Sequence, residues 1–246
     1  MCLDAKAALL TELLKPGRDA HLVEEDIYST ILDSTRKHSY DSKAAFYDLI
    51  VGNSLYNRFV WGDSPTNYSA FARKALTNSS DSVTLDAGCG SLLFTAEAYR
   101  ASAGMIVACD QSLDMLRRAQ MRLARLPRDV RERVTLVQAD LTDMPFHAKS
   151  FQTVLCMNVL HHCAGAGDVV RTLGSLLSDG GHFYLTSLVI NSRLIGDWYL
   201  NRLHRLGWFA SPRTSDELRE LLNDATKSTV RVWTQGNMAY AASTDR

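Results

Sequence analysis

From about residue 82 onward, short β-rich runs alternate with stretches of helical spacing. The runs are SVTLDAGCG, GMIVACD, RVTLVQAD, FQTVLCMNVL and HFYLTSLV. Such alternation predicts a parallel sheet with crossover helices. Leu113, Leu116, Leu123 and Leu126 recur at helical spacing after the second run. Val169, Val170, Leu173, Leu176 and Leu177 do so before the fifth, ending at Gly180-Gly181, and both groups predict helices that cover the sheet. Thr214-Ser215-Asp216-Glu217 reads as a capping box for a helix carrying Leu218, Leu221 and Leu222. STVRVWTQ and NMAYAAS then predict two last strands joined near Gly236, making seven strands in all.

Residues 1 to about 80 lack this alternation and read as helices over 5–15, 20–32, 43–51 and 67–75, the last with Pro65 near its start. They predict an N-terminal helical cap or lid (1–80) on a domain spanning 81–246. A further helical piece, RLIGDWYLNRLHRL, predicts an insertion at about 191–210, where an α/β enzyme can place a cover over its site.

Composition narrows the function classes. Apolar residues make up 46% and charged residues 22% of 246, with only 14 Gly and 5 Pro, which describes a globular chain and not a disordered one. Lys and Arg number 27 against 27 Asp and Glu, so no broad basic surface would draw in nucleic acid. The longest run without a formal charge, 151–167, holds Gln152, Asn158, His161 and His162 and falls short of the roughly 20 apolar residues that span a bilayer. Asp4, Lys6 and Glu12 stand where a signal peptide would need an apolar core, so the expectation is a cytoplasmic protein. Cysteines 2, 89, 109, 156 and 163 are odd in number and lack paired metal spacing, which predicts reduced thiols and no metal.

The sharpest local signal is Leu85-Asp86-Ala87-Gly88-Cys89-Gly90-Ser91, a strand entering a glycine turn and then a helix expected over 92–103. Glycines there admit a ligand close to the backbone, and a helix start offers N–H groups to an anion. A dinucleotide fingerprint would require glycine at 93, where Leu93 stands, so a nicotinamide or flavin cofactor is disfavoured. Asp86, Asp110 and Asp140 fall just past the first three strands, and Asn158 ends the fourth. In a parallel sheet these ends share one edge, beside the crevice where ligands bind.

With these residues in place, the chain resembles the class I S-adenosylmethionine-dependent methyltransferases, in particular the small-molecule branch of ubiquinone/menaquinone and natural-product enzymes. The resemblance covers roughly residues 40–240. It rests on VTLDAGCG at 83–90, Asp110-Gln111-Ser112-Leu113-Asp114-Met115-Leu116, Ala139-Asp140 with Met144-Pro145-Phe146, Phe151-Gln152-Thr153-Val154 with Val159-Leu160-His161-His162, and Leu177 to Gly181. Ser91, where many members have a third glycine, and Gln152, in place of an acid, depart from the pattern. The implied fold is α/β, a Rossmann-like seven-stranded, mostly parallel sheet with helices on both faces and the N-terminal cap.

The resemblance implies S-adenosyl-L-methionine as cofactor, S-adenosyl-L-homocysteine as product and a small-molecule methyl acceptor. Asp86, Gly88 and Gly90 would contact the methionine part, and Asp110 both ribose hydroxyls. Gln111 and Met115 would line the adenine, Asp140 would take its amino group, and Leu141 a ring nitrogen; Asn158 completes the edge. Ser91 would cap the following helix. His161 and His162 are the candidate general bases, with packing histidines as the plain alternative. Tyr47, Tyr56, Trp61 and Trp198 would wall an apolar acceptor pocket, or serve simply as core for the cap. Two other readings stay open: a cofactor-binding, non-catalytic partner protein, and an arsenite methyltransferase using Cys89, Cys109 and Cys156 as soft ligands. The oligomeric state is open, a homodimer included.

Overall fold

The computed structural model describes residues 2–31, 52–77, 82–226 and 229–243. Its strands are β1 (His21–Glu24), β2 (Ile27–Ser29), β3 (Thr84–Ala87), β4 (Ile106–Asp110), β5 (Val134–Gln138), β6 (Phe151–Met157), β7 (Leu177–Leu188), β8 (Val230–Gln235) and β9 (Met238–Ser243). Its helices are α1 (Cys2–Leu13), α2 (Pro65–Thr77), α3 (Leu113–Leu123), α4 (Arg128–Glu132), α5 (Ala166–Ser175), α6 (Leu194–Arg205) and α7 (Ser215–Thr226). A short helical stretch, Ser54–Tyr56 running into Asn57–Trp61, precedes α2.

The strands form one sheet in the order β1-β2-β5-β4-β3-β6-β7-β9-β8. From β2 to β7 every pairing is parallel, and β1, β9 and β8 close the two edges with antiparallel pairings. Alternate residues of each strand face opposite sides, so each face builds its own core. Leu85, Val107, Val154, Phe183 and Leu185 pack with Val169, Leu173, Leu218 and Leu222 of α5 and α7. Ile106, Ala108, Leu136, Leu155 and Tyr184 pack with Phe71 and Leu76 of α2 and Leu116, Ala119 and Leu123 of α3. The capping box starts α7 as expected: the Glu217 carboxylate accepts from the Thr214 N–H at 2.7 Å, and the Thr214 hydroxyl from the Glu217 N–H at 3.2 Å.

Two expectations are corrected. Among the described residues the sheet has nine strands and not seven, because residues 20–32, read as a helix, contain the β1–β2 hairpin. Leu22, Val23, Ile27 and Tyr28 suit a helical face as well as two short strands, and the decision comes from tertiary pairing. Ile27, Tyr28 and Ser29 pair with Leu136, Val137 and Gln138 of β5 and are buried. The two-residue turn Glu25-Asp26, with Asp26 at φ 60°, makes the hairpin possible. The second correction concerns residues 92–103, where turns and a short 3₁₀ stretch, Glu97–Ala101, replace the expected helix. Leu92 at φ 59° breaks helical propagation at the outset, so no helix N-terminus follows the glycine turn and Ser91 caps none. The expected helix over 43–51 lies outside the described residues.

Gly236 closes the β8–β9 hairpin at φ +57°, and a Cβ there would lie 2.0 Å from the Trp61 carbonyl oxygen. That oxygen already accepts from the Asn237 N–H at 2.7 Å. Gly236→Ala is therefore expected to cost about 2–3 kcal/mol of stability. A denaturant midpoint that falls at unchanged slope would measure it; an unshifted midpoint contradicts the assignment.

Candidate active site

Parallel strands deliver their C-terminal ends to one edge, and there β3 to β6 open a cavity. Asp86, Gly88, Gly90, Asp110, Gln111, Met115, Asp140, Leu141 and Asn158 all line it, together with His162. The chain therefore brings these predicted residues together from four separate segments.

The glycine turn fastens β3 to β4. The Gly88 and Cys89 N–H groups donate to the Cys109 carbonyl at 2.8 Å, and the Gly90 N–H donates to the Asp110 carboxylate at 2.9 Å. The other Asp110 oxygen accepts from the Ser112 N–H at 2.9 Å. Two backbone donors thus set the plane of this carboxylate at the cavity wall. A Cβ on Gly88, at φ +72°, would fall 2.5 Å from Val159 Cγ2, whereas one on Gly90 would meet none of the described residues within 4 Å. Gly88 permits strand-end packing, and Gly90 leaves backbone open to a ligand. Asp140 turns its carboxylate toward Thr142, whose N–H and hydroxyl donate at 2.8 and 2.7 Å. Asn158, at φ 59°, bends the chain at the end of β6, and its Oδ1 accepts from the Thr186 hydroxyl at 2.9 Å.

Asp86 is the electrostatic exception. It is fully buried, its Oδ2 accepts from the Tyr99 hydroxyl at 2.7 Å, and among the described residues its Oδ1 has no hydrogen-bond partner. Burial pushes its pKa up to about 6, against the pull of Tyr99 and Thr95 toward the charged form. An orphaned carboxylate oxygen in a cavity wall costs free energy until a donor or cation meets it. Tyr99 carried no sequence signal, being one aromatic in a segment read as an ordinary helix.

The histidine pair divides. His162 lines the cavity, while His161 does not: its ring is buried and its Nδ1 accepts from the Leu188 N–H at 3.4 Å. Both rings pack edge-on against Phe209, with centroids 4.8 and 4.7 Å away. Desolvation lowers His162 to about 4 and His161 well below the usual imidazole range, so both are neutral at neutral pH.

The aromatic residues form a cluster of their own. Trp61 and Tyr199 rings lie 5.5 Å apart, Tyr56 and Tyr199 6.4 Å, and Trp198 stacks on Tyr199 at 6.4 Å. Tyr56, Trp61 and Trp198 do not line the cavity; Phe94 does, and its ring meets that of Tyr68 at 5.1 Å. Tyr47 lies outside the described residues. Gln152 sits at the far end of β6, where its amide donates to the Gly180 carbonyl. Cys109 and Cys156 are buried in β4 and β6 and, unlike Cys89, do not line the cavity, so the three thiols of the arsenite reading do not face it together. Among the described residues no cluster of three or more His, Cys, Asp or Glu is arranged to hold a metal.

Residues 85–185 match a family described as the methyltransferase domain. The match spans 101 of the chain's 246 residues. The matched methyltransferase domain contains all nine cofactor-site candidates and His162. Over 162 residues the chain is 26% identical to the 27-O-demethylrifamycin SV methyltransferase of Amycolatopsis mediterranei, covering 61% of this chain and 57% of that protein. Over 104 residues it is 31% identical to the ubiquinone biosynthesis O-methyltransferase of Xanthomonas euvesicatoria, covering 42% of each. The chain thus spans about half the length of these relatives. Among solved structures, phosphoethanolamine N-methyltransferase 2 of Haemonchus contortus, in complex with S-adenosyl-L-methionine, superposes with a TM-score of 0.64 at 14% identity, covering 87% of this chain and 59% of that one. The chain therefore shares the Rossmann-like fold of that structure.

Proposed function

We propose that the protein is an S-adenosylmethionine-dependent methyltransferase that methylates a small, largely apolar acceptor and leaves S-adenosylhomocysteine as product. The observation that carries this reading is the row of Asp86, Asp110 and Asp140 on successive strand ends in one cavity, with the buried Asp86 Oδ1 lacking a partner among the described residues. That set of acceptors fits the cofactor. Asp86 would meet the ammonium of its methionine part, Asp110 the vicinal ribose hydroxyls, and Asp140 the adenine amino group, with the Leu141 N–H on a ring nitrogen. Gln111, Met115 and Asn158 would complete the walls.

The bound cofactor supplies a methyl carbon already activated by a sulfonium. The chain's part is to align the acceptor's nucleophile with that carbon and to exclude water. The acceptor atom bonds to carbon as the carbon–sulfur bond breaks, and the acceptor's proton leaves for a base. His162, which lines the cavity, would take it, and the names of the two curated relatives support a hydroxyl as the acceptor group. The helical stretch 54–61, α2 and α6 would form the acceptor-side cover over the catalytic domain.

Calorimetry with S-adenosylhomocysteine and with a nicotinamide dinucleotide tests the cofactor. Heat with the first alone is expected; no heat with either sinks the reading. Radiolabelled methyl donor with extract fractions then tests transfer, and binding without transfer to any fraction would favour the non-catalytic reading. His162→Ala is expected to lower turnover by about 10²-fold with cofactor affinity unchanged, whereas His161→Ala should act through stability. Equal turnover in His162→Ala and wild type removes the base assignment.

A further inference from the structure

The edge of the sheet that carries the cavity also carries an apolar face. Helix α6 leaves the C-terminal end of β7, and along it Leu194 is 89% exposed and Trp198, one turn on, 65%. The stretch 54–61 repeats the pattern, with Leu55 at 80% and Phe59 at 69%. The two segments pack together: Tyr199 of α6 meets the rings of both Tyr56 and Trp61, and an Arg193 Nη donates to the Arg58 carbonyl at 3.2 Å. Single exposed apolar side chains are ordinary, but large ones gathered on two packed segments are a contact surface.

Charge indicates the kind of partner. From 191 to 213 the chain holds Arg193, Arg202, Arg205 and Arg213 against one acid, Asp197, whose Oδ1 accepts from the Asn237 amide at 2.6 Å. Arg58 adds a cation from the neighbouring segment, and it lines with Arg193 a polar hollow that Ser54 and Asn191 also face. Tryptophan and leucine bordered by arginine suit a membrane interface, where indole and aliphatic groups enter the acyl boundary and guanidinium groups meet lipid phosphates. No helix of the described residues is long and apolar enough to cross a membrane, so the contact would be peripheral. We propose that this face, built from the stretch 54–61 and α6, docks on an anionic lipid bilayer. This does not rest on the methyltransferase reading, but it would bring an apolar acceptor to the mouth of that cavity.

Sedimentation with phosphatidylcholine vesicles, with and without phosphatidylglycerol, tests the proposal. The protein is expected to sediment with the anionic vesicles, and less so as salt is raised. Leu55→Ser combined with Leu194→Ser should weaken that binding by about tenfold or more, with melting temperature and S-adenosylhomocysteine affinity retained. Arg58→Gln with Arg202→Gln should remove the preference for phosphatidylglycerol. Phosphatidylcholine brominated in its acyl chains should quench tryptophan fluorescence in the wild type and less in Trp198→Phe. Absence of sedimentation with either vesicle overturns the proposal, as does unchanged binding by the folded double-serine variant. Concentration-dependent dimerisation that the serine variant abolishes, without vesicle binding, assigns the face to a second copy of the chain instead. Retained cofactor affinity in any of these cases leaves the cavity assignment standing.

Discussion

Asp110→Ala is expected to weaken binding of both S-adenosylmethionine and S-adenosylhomocysteine by about 10²- to 10³-fold. A carboxylate facing two neighbouring hydroxyls makes two charge-assisted hydrogen bonds, each worth about 1.5–3 kcal/mol, and about 1.4 kcal/mol is tenfold in affinity. Part of the loss would come from the protein itself. The Asp110 carboxylate holds the Gly90 and Ser112 N–H groups at 2.9 Å, so its removal also frees the glycine turn and the start of α3. Asp110→Asn keeps one acceptor oxygen and should fall between wild type and alanine. Calorimetric titration of all three proteins decides the matter: affinities within threefold of one another would remove Asp110 from the cofactor site. Because the side chain is only partly buried, the fold should survive, and a melting curve checks this.

The second large effect concerns pH and Asp86. Burial raises its pKa from the 3.8 of an ordinary aspartate to about 6. A pKa raised by folding means that the folded protein binds more protons than the unfolded chain between about pH 4 and 6. This group's contribution to stability is therefore fully present below about pH 4 and is lost as pH rises through 6. The difference is on the order of 3 kcal/mol for a shift of this size. Asp86→Asn should accordingly melt higher than the wild type at pH 8 in the absence of ligand, and much less so at pH 4. Ligand binding should run the other way. An ammonium beside Asp86 favours the ionised carboxylate, so affinity for S-adenosylhomocysteine should rise by about tenfold from pH 5 to 7. Tyr99→Phe removes the 2.7 Å hydrogen bond that favours ionisation, which should move that rise to higher pH. Affinity independent of pH between 5 and 7, with wild type and Tyr99→Phe superposed, would show that Asp86 does not ionise to meet the ligand. A stability gain bought by Asp86→Asn at the expense of binding is the usual trade at a strained polar site.

Much of this arrangement was legible in the residues. The alternation of runs from residue 82 and the apolar spacing in α3, α5 and α7 predicted a parallel sheet with covered faces, because burial on both faces imposes those periods. The acids at 86, 110 and 140 shared an edge as soon as the strands were parallel, since parallel strands end on the same side. Local patterning failed where the outcome depended on distant partners. Nothing near Ile27 announces that β5 offers an open edge, and a period over nine residues does not separate a hairpin from a helix. Residues 92–103 have helical composition, yet the glycine turn is tied to β4 and the chain leaves it at positive φ.

The run of residues was enough to predict alternating strands and helices from residue 82 and to put Asp86, Asp110, Asp140 and Asn158 on one edge, because both follow from short-range periodicity and from residues at strand ends. Long-range packing settled which of two adjacent histidines faces the cavity, that Asp86 is held half-satisfied by Tyr99, and that Tyr56, Trp61 and Trp198 gather on Tyr199 without lining the cavity. These are matters of side-chain direction and desolvation, set by neighbours far away along the chain, and no local pattern of residue types encodes them.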